Sequence, residues 1–188
     1  GASIGPFDKE PEFELQMMRH FADIDLIVVR EPVSLDYLNG FGIKDNVCLV
    51  PDPAFALEPQ PCTLSDDIER ILTDQCIGIN LSPLLARFAT NGSLENWAGL
   101  AVKIIRRLLA EIKMPILLIP HATFDKLLPQ MDDEHFMRGV YGALTESEKK
   151  QVSILPRGLT SQNLNWIIGR TSLFVGARTH ATIAALSS

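Results

Sequence analysis

The sequence predicts an α/β protein with mostly parallel sheets, and three observations carry that reading. Six short apolar runs alternate with stretches of helical periodicity along the 188 residues. Most of those runs are nearly continuous in hydrophobicity, as expected of strands covered on both faces. Strand and helix succeed one another repeatedly, the order in which crossovers link parallel strands.

In chain order, a helix is expected over residues 11–22 and a strand over 25–29 (Asp-Leu-Ile-Val-Val). A helix over 32–39 and a strand over 47–50 (Val-Cys-Leu-Val) follow. A helix over 65–73 leads into a strand over 76–80 (Cys-Ile-Gly-Ile-Asn). The clearest helix follows Ser93, an N-cap residue with Glu95 in the first turn behind it. Its apolar stripe runs Trp97, Ala101, Ile104, Ile105, Leu108, Ile112, while Lys103, Arg106, Arg107 and Glu111 face away. Strands over 115–119, 152–155 and 172–175, with helices over 133–144, 161–169 and from 178 onward, complete the pattern.

Pro51, Pro53, Pro59 and Pro61 make the segment 51–64 unfit to continue either kind of element. It reads as a crossing between two α/β units. Residues 1–57 hold two clear strands, too few for a sheet of their own, and are expected to be the back part of an N-terminal domain. Residues 58–64 form the linker, and 65–188 the second domain. The final helix reaches Ser188 with no Gly or Pro stop signal, so both ends look cut.

A formal charge of −6 argues against nucleic acid as a general partner. The charge is uneven: from residue 149 onward there is no Asp or Glu, while Lys149, Lys150, Arg157, Arg170 and Arg178 remain. Such a tail can keep a local positive field for an anionic ligand or arise by chance clustering. Cys48, Cys62 and Cys76 form no C-x-x-C pair, and an odd count fits reduced thiols in the cytoplasm. Cys48 and Cys76 lie in apolar runs and are read as small core residues. No window is long or apolar enough to span a bilayer.

In open α/β sheets ligands bind at the carboxyl ends of the strands. Four such ends carry polar residues: Asn80 and Ser82, His121, Arg157, and Gly176 with Arg178, Thr179 and His180. Gly176 lets a backbone approach a ligand, Arg178 supplies a fork for a carboxylate or phosphate, and His180 can act as general acid or base. Asn80 and Ser82 either bind a ligand or cap the next helix. Arg30 follows a strand in the first unit and either reaches a cleft or pairs with Glu31 or a nearby carboxylate. His20 and His135 are read as surface residues. No metal-ligand constellation, P-loop or G-x-G-x-x-G is present, and neither a metal nor a cofactor is expected.

With these residues collected, the chain resembles the polysaccharide pyruvyl transferase family. Gly-Ala-Ser-Ile-Gly-Pro-Phe at 1–7 looks like its G-x-S-I-G-P-F segment, and Val-Arg-Glu-Pro-Val-Ser at 29–34 its V-R-E-x-x-S. Pro-Asp-Pro-Ala-Phe at 51–55, Pro120-His121, and Gly-Ala-Arg-Thr-His-Ala-Thr-Ile-Ala at 176–184 follow in the family's order. The resemblance implies a GT-B-like fold of two Rossmann-like domains. It also implies transfer of the enolpyruvyl unit of phosphoenolpyruvate to a sugar, forming a pyruvate ketal on a cell-surface polysaccharide or its lipid-linked precursor. Arg178 and His180 would carry the chemistry, with Arg30, Gly176, Thr179, His121, Asn80 and Ser82 binding substrate and phosphoenolpyruvate as co-substrate. The protein would work in the cytoplasm, with possible attachment to the inner face of the membrane through its acceptor. Asn163 departs from the family, standing where many members have an acidic residue, which puts nucleotide recognition in doubt. The alternatives are a GT-B nucleotide-sugar glycosyltransferase and a non-catalytic GT-B-like binding protein.

Overall fold

The structure, a computed structural model, describes residues 2–124 and 131–188. Gly1 of the first motif thus lies outside the described residues. The chain divides into two compact units, Gly1–Phe55 and Ala56–Ser188. Both are α/β with parallel strands, consistent with a Rossmann-like fold.

The first unit comprises α1 (Pro11–Ala22), β1 (Ile27–Val29), α2 (Pro32–Gly40) and β2 (Val47–Leu49). Both helices begin with proline, whose missing N–H costs nothing at a helix start; α1 adds Glu12 and Glu14 there and Arg19 and His20 in its last turn. Met18, Phe21, Ile27, Val29, Leu38 and Ile43 form its core. Strands β1 and β2 pair in parallel, with Val28 opposite Cys48. Paired residues share a sheet face, so Cys48 projects away from the face where Ile27, Val29 and Val47 meet the helices. Cys48 is therefore exposed, which corrects its reading as a core residue; Cys76 is buried as expected.

The second unit runs α3 (Asp66–Thr73), β3 (Ile77–Asn80), a 3-10 turn (Pro83–Leu85), α4 (Ala86–Ala89), α5 (Leu94–Glu111) and β4 (Ile116–Leu118). It continues with α6 (Asp133–Gly142), α7 (Glu146–Lys149), β5 (Val152–Ile154), α8 (Ser161–Ile168), β6 (Leu173–Gly176) and α9 (Thr179–Ser187). The parallel sheet has the order β5-β4-β3-β6. Successive residues of β4 and the position after it serve opposite faces. Ile116 and Leu118 pack with Trp97, Ala101 and Ile105 of α5 and Met137 and Val140 of α6, whereas Leu117 and Ile119 pack with α3 and α8. This double cover is why the strand reads as a continuous apolar run. Trp97 of α5 stacks on Phe136 of α6.

Two expectations fail at the margins of this core. Ile104 and Ile112 of the α5 stripe are exposed, and Val102 is buried instead. In β6, Leu173 and Val175 are about half exposed (48% and 49%). They pair with Ile77 and Ile79, so they belong to the α5/α6 face, but β6 is the edge strand and those helices cover the sheet's centre.

Candidate active site

Strand order reverses between β3 and β6: the chain steps outward from β3 through β4 to β5, then returns to the other side of β3. At such a switch point the two loops diverge and leave a crevice at the carboxyl ends of the strands. Asn80 ends β3 there, directly opposite Gly176 of β6.

The crevice is built around one buried carboxylate that sequence reasoning missed. Asp133, fully buried at the first turn of α6, faces Arg178 from the β6 end. Arg178 Nε donates to both of its oxygens (3.0 and 2.9 Å), and Nη2 donates to Oδ1 at 2.8 Å and to the Met131 carbonyl at 2.9 Å. Asp133 Oδ2 also accepts from the backbone N–H groups of His121 (3.2 Å) and Ala122 (3.0 Å) and from Asn80 Nδ2 (3.1 Å). One side chain thus ties together the ends of β3, β4 and β6.

Its neighbours Asp132 and Glu134 are also buried, and Arg157 from the β5 end binds both. Asp132 caps α6 by accepting from His135 N, and it accepts from Phe124 N as well. Burial alone would raise the Asp132 carboxyl; those two backbone bonds and Arg157 together outweigh it and hold the group below its ordinary value. Arg157 is correspondingly raised, first by its bond to Asp132. An Asp-Asp-Glu run directly ahead of an apolar-periodic stretch is an N-cap with an acidic first turn, and that signal was available in the sequence.

The expected residues fall into three groups. Asn80 and Ser82 are 1% exposed and build the crevice rather than line it. Asn80 donates to Ile119 O and Asp133 and accepts from Arg178 N, so it braces strand ends and caps no helix. Ser82 caps the 3-10 turn through Leu84 N, and its carbonyl accepts the Trp97 indole N–H. Gly176 is required by packing, since a Cβ there would lie 2.8 Å from both Phe174 and Thr182. Its small size brings α9 close to the strand end rather than leaving room for a ligand.

Arg178, Thr179, His180 and His121 do come together. Arg178 is the N-cap residue of α9; no side chain caps that helix, and no acid stands in its first turn. Thr179 and His180 are exposed. His121 is half buried, and burial is the main cause holding its imidazole below the ordinary value. His180 and Arg178 push in the same direction and Asp133 opposes them, which places all four groups within electrostatic reach. Burial thus favours the neutral imidazole of His121, the form that can accept a proton.

The carboxylate-free tail is not a free positive field. Arg157, Arg170, Arg178 and Lys149 are paired with Asp132 and Glu134, Glu69, Asp133 and Glu146 respectively. Asn163 forms a capping box with Thr160 and donates to Gln60 O, so here it fixes the start of α8. His20 and His135 are exposed. Among the described residues no group of three or more His, Cys, Asp or Glu is placed to hold a metal ion.

In the first unit, Arg30 joins three motif segments. Its Nη1 donates to Asp52 Oδ2 at 2.6 Å, its Nε to Ser3 Oγ at 3.0 Å, and Glu31 lies 3.6 Å away. Ser34 completes the knot, accepting from Ile4 N and donating to Glu31. Gly5 has φ +71°, and a Cβ there would run into the Tyr37 ring. The sequence left cleft and carboxylate open as partners for Arg30, and the structure gives it two carboxylates.

Among the described residues no helix is long and apolar enough to cross a membrane. Compared with known proteins, the chain finds no match among curated proteins and none among solved structures. The family model described as polysaccharide pyruvyl transferase matches residues 1–188, the whole chain. The chain belongs to the polysaccharide pyruvyl transferase family.

Proposed function

We propose that this protein is a transferase that moves the enolpyruvyl unit of phosphoenolpyruvate onto a sugar of a polysaccharide or its precursor, closing a pyruvate ketal. The observation that carries this reading is the start of α9. A helix N-terminus without an acid or a side-chain cap stands at the switch point, with Arg178, Thr179 and His180 on it and His121 within electrostatic reach.

The helix amides and Arg178 suit an anionic donor group. In the reading proposed, His180 gives a proton to the donor's methylene carbon, making it a methyl group. A sugar hydroxyl adds to the neighbouring carbon and loses its proton to His121, whose neutral form burial favours. Phosphate then leaves with the electrons of its C–O bond. A second hydroxyl of the same sugar takes its place and loses its proton, which closes the ketal. Charge stabilisation comes from arginine and backbone dipoles, so the reading calls for no cofactor beyond the co-substrate. The two units are read as the two Rossmann-like domains of a GT-B-like fold. The protein is placed in the cytoplasm, meeting a sugar or lipid-linked acceptor at the membrane's inner face.

The test is calorimetric titration with phosphoenolpyruvate and, separately, with UDP, on the wild type and on His180→Ala. Binding of phosphoenolpyruvate that weakens in the variant supports the reading. Binding of UDP alone transfers the site to a nucleotide-sugar glycosyltransferase, and no binding of either favours a non-catalytic member of the family.

A further inference from the structure

We propose that Asp133 is a positioning residue for the transfer: it locks Arg178 and the His121–Ala122 backbone into one frame, so that the two imidazoles of the site are presented together. This rests on the function proposed above.

The geometry is unusually demanding for a structural carboxylate. Asp133 is fully buried and takes hydrogen bonds from Asn80, His121, Ala122 and Arg178, which come from the ends of three strands. A fourth element, α6, carries it. A buried ion pair is weak support for stability, because apolar side chains of similar volume often do as well. What apolar side chains cannot do is orient a guanidinium. Arg178 reaches Asp133 through Nε and Nη2, and Nη2 is held again by the Met131 carbonyl, so the plane of the fork is fixed at two points. The same Asp133 oxygen that receives Nε receives the amides of His121 and Ala122. Any movement of the carboxylate therefore moves Arg178 and the His121 segment together.

An ionised carboxylate is also the one side chain of this size that offers only acceptors. Asparagine would turn an NH2 group toward donors that already point inward. The charged groups that act on His121 are Asp133 on α6 and Arg178 and His180 at the start of α9. Asp133 is the one of these that favours imidazolium, so its charge works against the burial that lowers the His121 imidazole.

The experiment compares wild type with Asp133→Asn and Asp133→Glu. Phosphate release from phosphoenolpyruvate is measured with a crude acceptor polysaccharide, together with circular dichroism and NMR titration of the His121 imidazole. For folded Asp133→Asn, kcat is expected to fall about 10²-fold, the effect of a misplacement near 1 Å. The His121 titration should move to lower pH. An unchanged kcat and an unchanged His121 titration, with only a lower melting temperature, would reduce Asp133 to a structural role and overturn the proposal.

If Asp133→Asn does not fold, Asp133→Glu decides: it keeps the charge but displaces it by one methylene. Reduced kcat supports positioning, and full activity overturns it. A variant-free arm follows hydrogen exchange at the Arg178 Nε–H of the wild type. Slow exchange is expected, and exchange at the rate of a solvated arginine contradicts the locked fork. A wild type that binds no phosphoenolpyruvate sinks the functional reading instead, and the NMR arms still report on the frame.

Discussion

Helices α6 and α9 both begin at the carboxyl edge of the same sheet, yet their first turns are opposites. The α6 start brings Asp132, Asp133 and Glu134, all buried and all bound to arginines. The α9 start brings Arg178, Thr179 and His180, with no acid and no side-chain cap. A helix N-terminus attracts negative charge. The protein fills that demand itself at α6, whereas among the described residues no side chain caps α9. The difference fits the proposed placement of a ligand's anionic group at α9, and α6 serves construction.

The largest effect should come from cutting the link between the two helix starts. Arg178→Ala leaves Asp133 buried without its counter-ion, and loss of roughly 3–5 kcal/mol is expected. Urea unfolding of the variant checks this; a loss below about 1 kcal/mol would mean that Asp133 is not the anchor its contacts indicate.

Next comes the α6 cap. Asp132→Ala removes the acceptor for His135 N and Phe124 N as well as the Arg157 partner, and should cost about 2 kcal/mol. The sign of its pH dependence is fixed. The Asp132 carboxyl is depressed in the folded protein, so its stabilisation is complete above the ordinary carboxylate range and is lost as pH falls through its folded value. Asp132→Asn should therefore flatten the acid side of the stability–pH curve and leave the neutral-to-alkaline side parallel to wild type. Equal steepness on the acid side would contradict the assignment.

Thr160→Ala gives a reference for an ordinary cap. It breaks the capping box at α8, a helix that carries none of the proposed ligand-binding residues, and about 1 kcal/mol is expected with phosphoenolpyruvate binding unchanged. A loss of binding there would show that the caps act on the site through the whole unit.

The contrast between α6 and α9 also marks what the sequence could reveal. Parallel strands were legible because double burial writes a continuous apolar run, as in Ile116 to Ile119. Edge position was not, since Leu173 and Val175 carry the same residue types while standing half exposed. At the site, Arg178 and His180 were visible as a polar pair after a strand. Their counter-charge was hidden, because Asp133 lies 45 residues away in sequence and its partners are fixed by strand order. The same distance explains why the sequence left the tail's charge open: Arg157, Arg170 and Arg178 meet carboxylates that come from earlier elements. Asn80 was ambiguous for a related reason. A polar residue at a strand end reads alike whether it meets ligand or the neighbouring strand.

The most direct measurement makes α9 resemble α6. Thr179→Asp places a carboxylate on the exposed first turn of α9, where the helix dipole favours it by about 0.5 kcal/mol. Calorimetric titration with phosphoenolpyruvate, run beside thermal unfolding, should show a variant at least as stable as wild type that has lost binding. A variant that binds phosphoenolpyruvate as wild type does would place the donor's anionic group elsewhere and contradict the account.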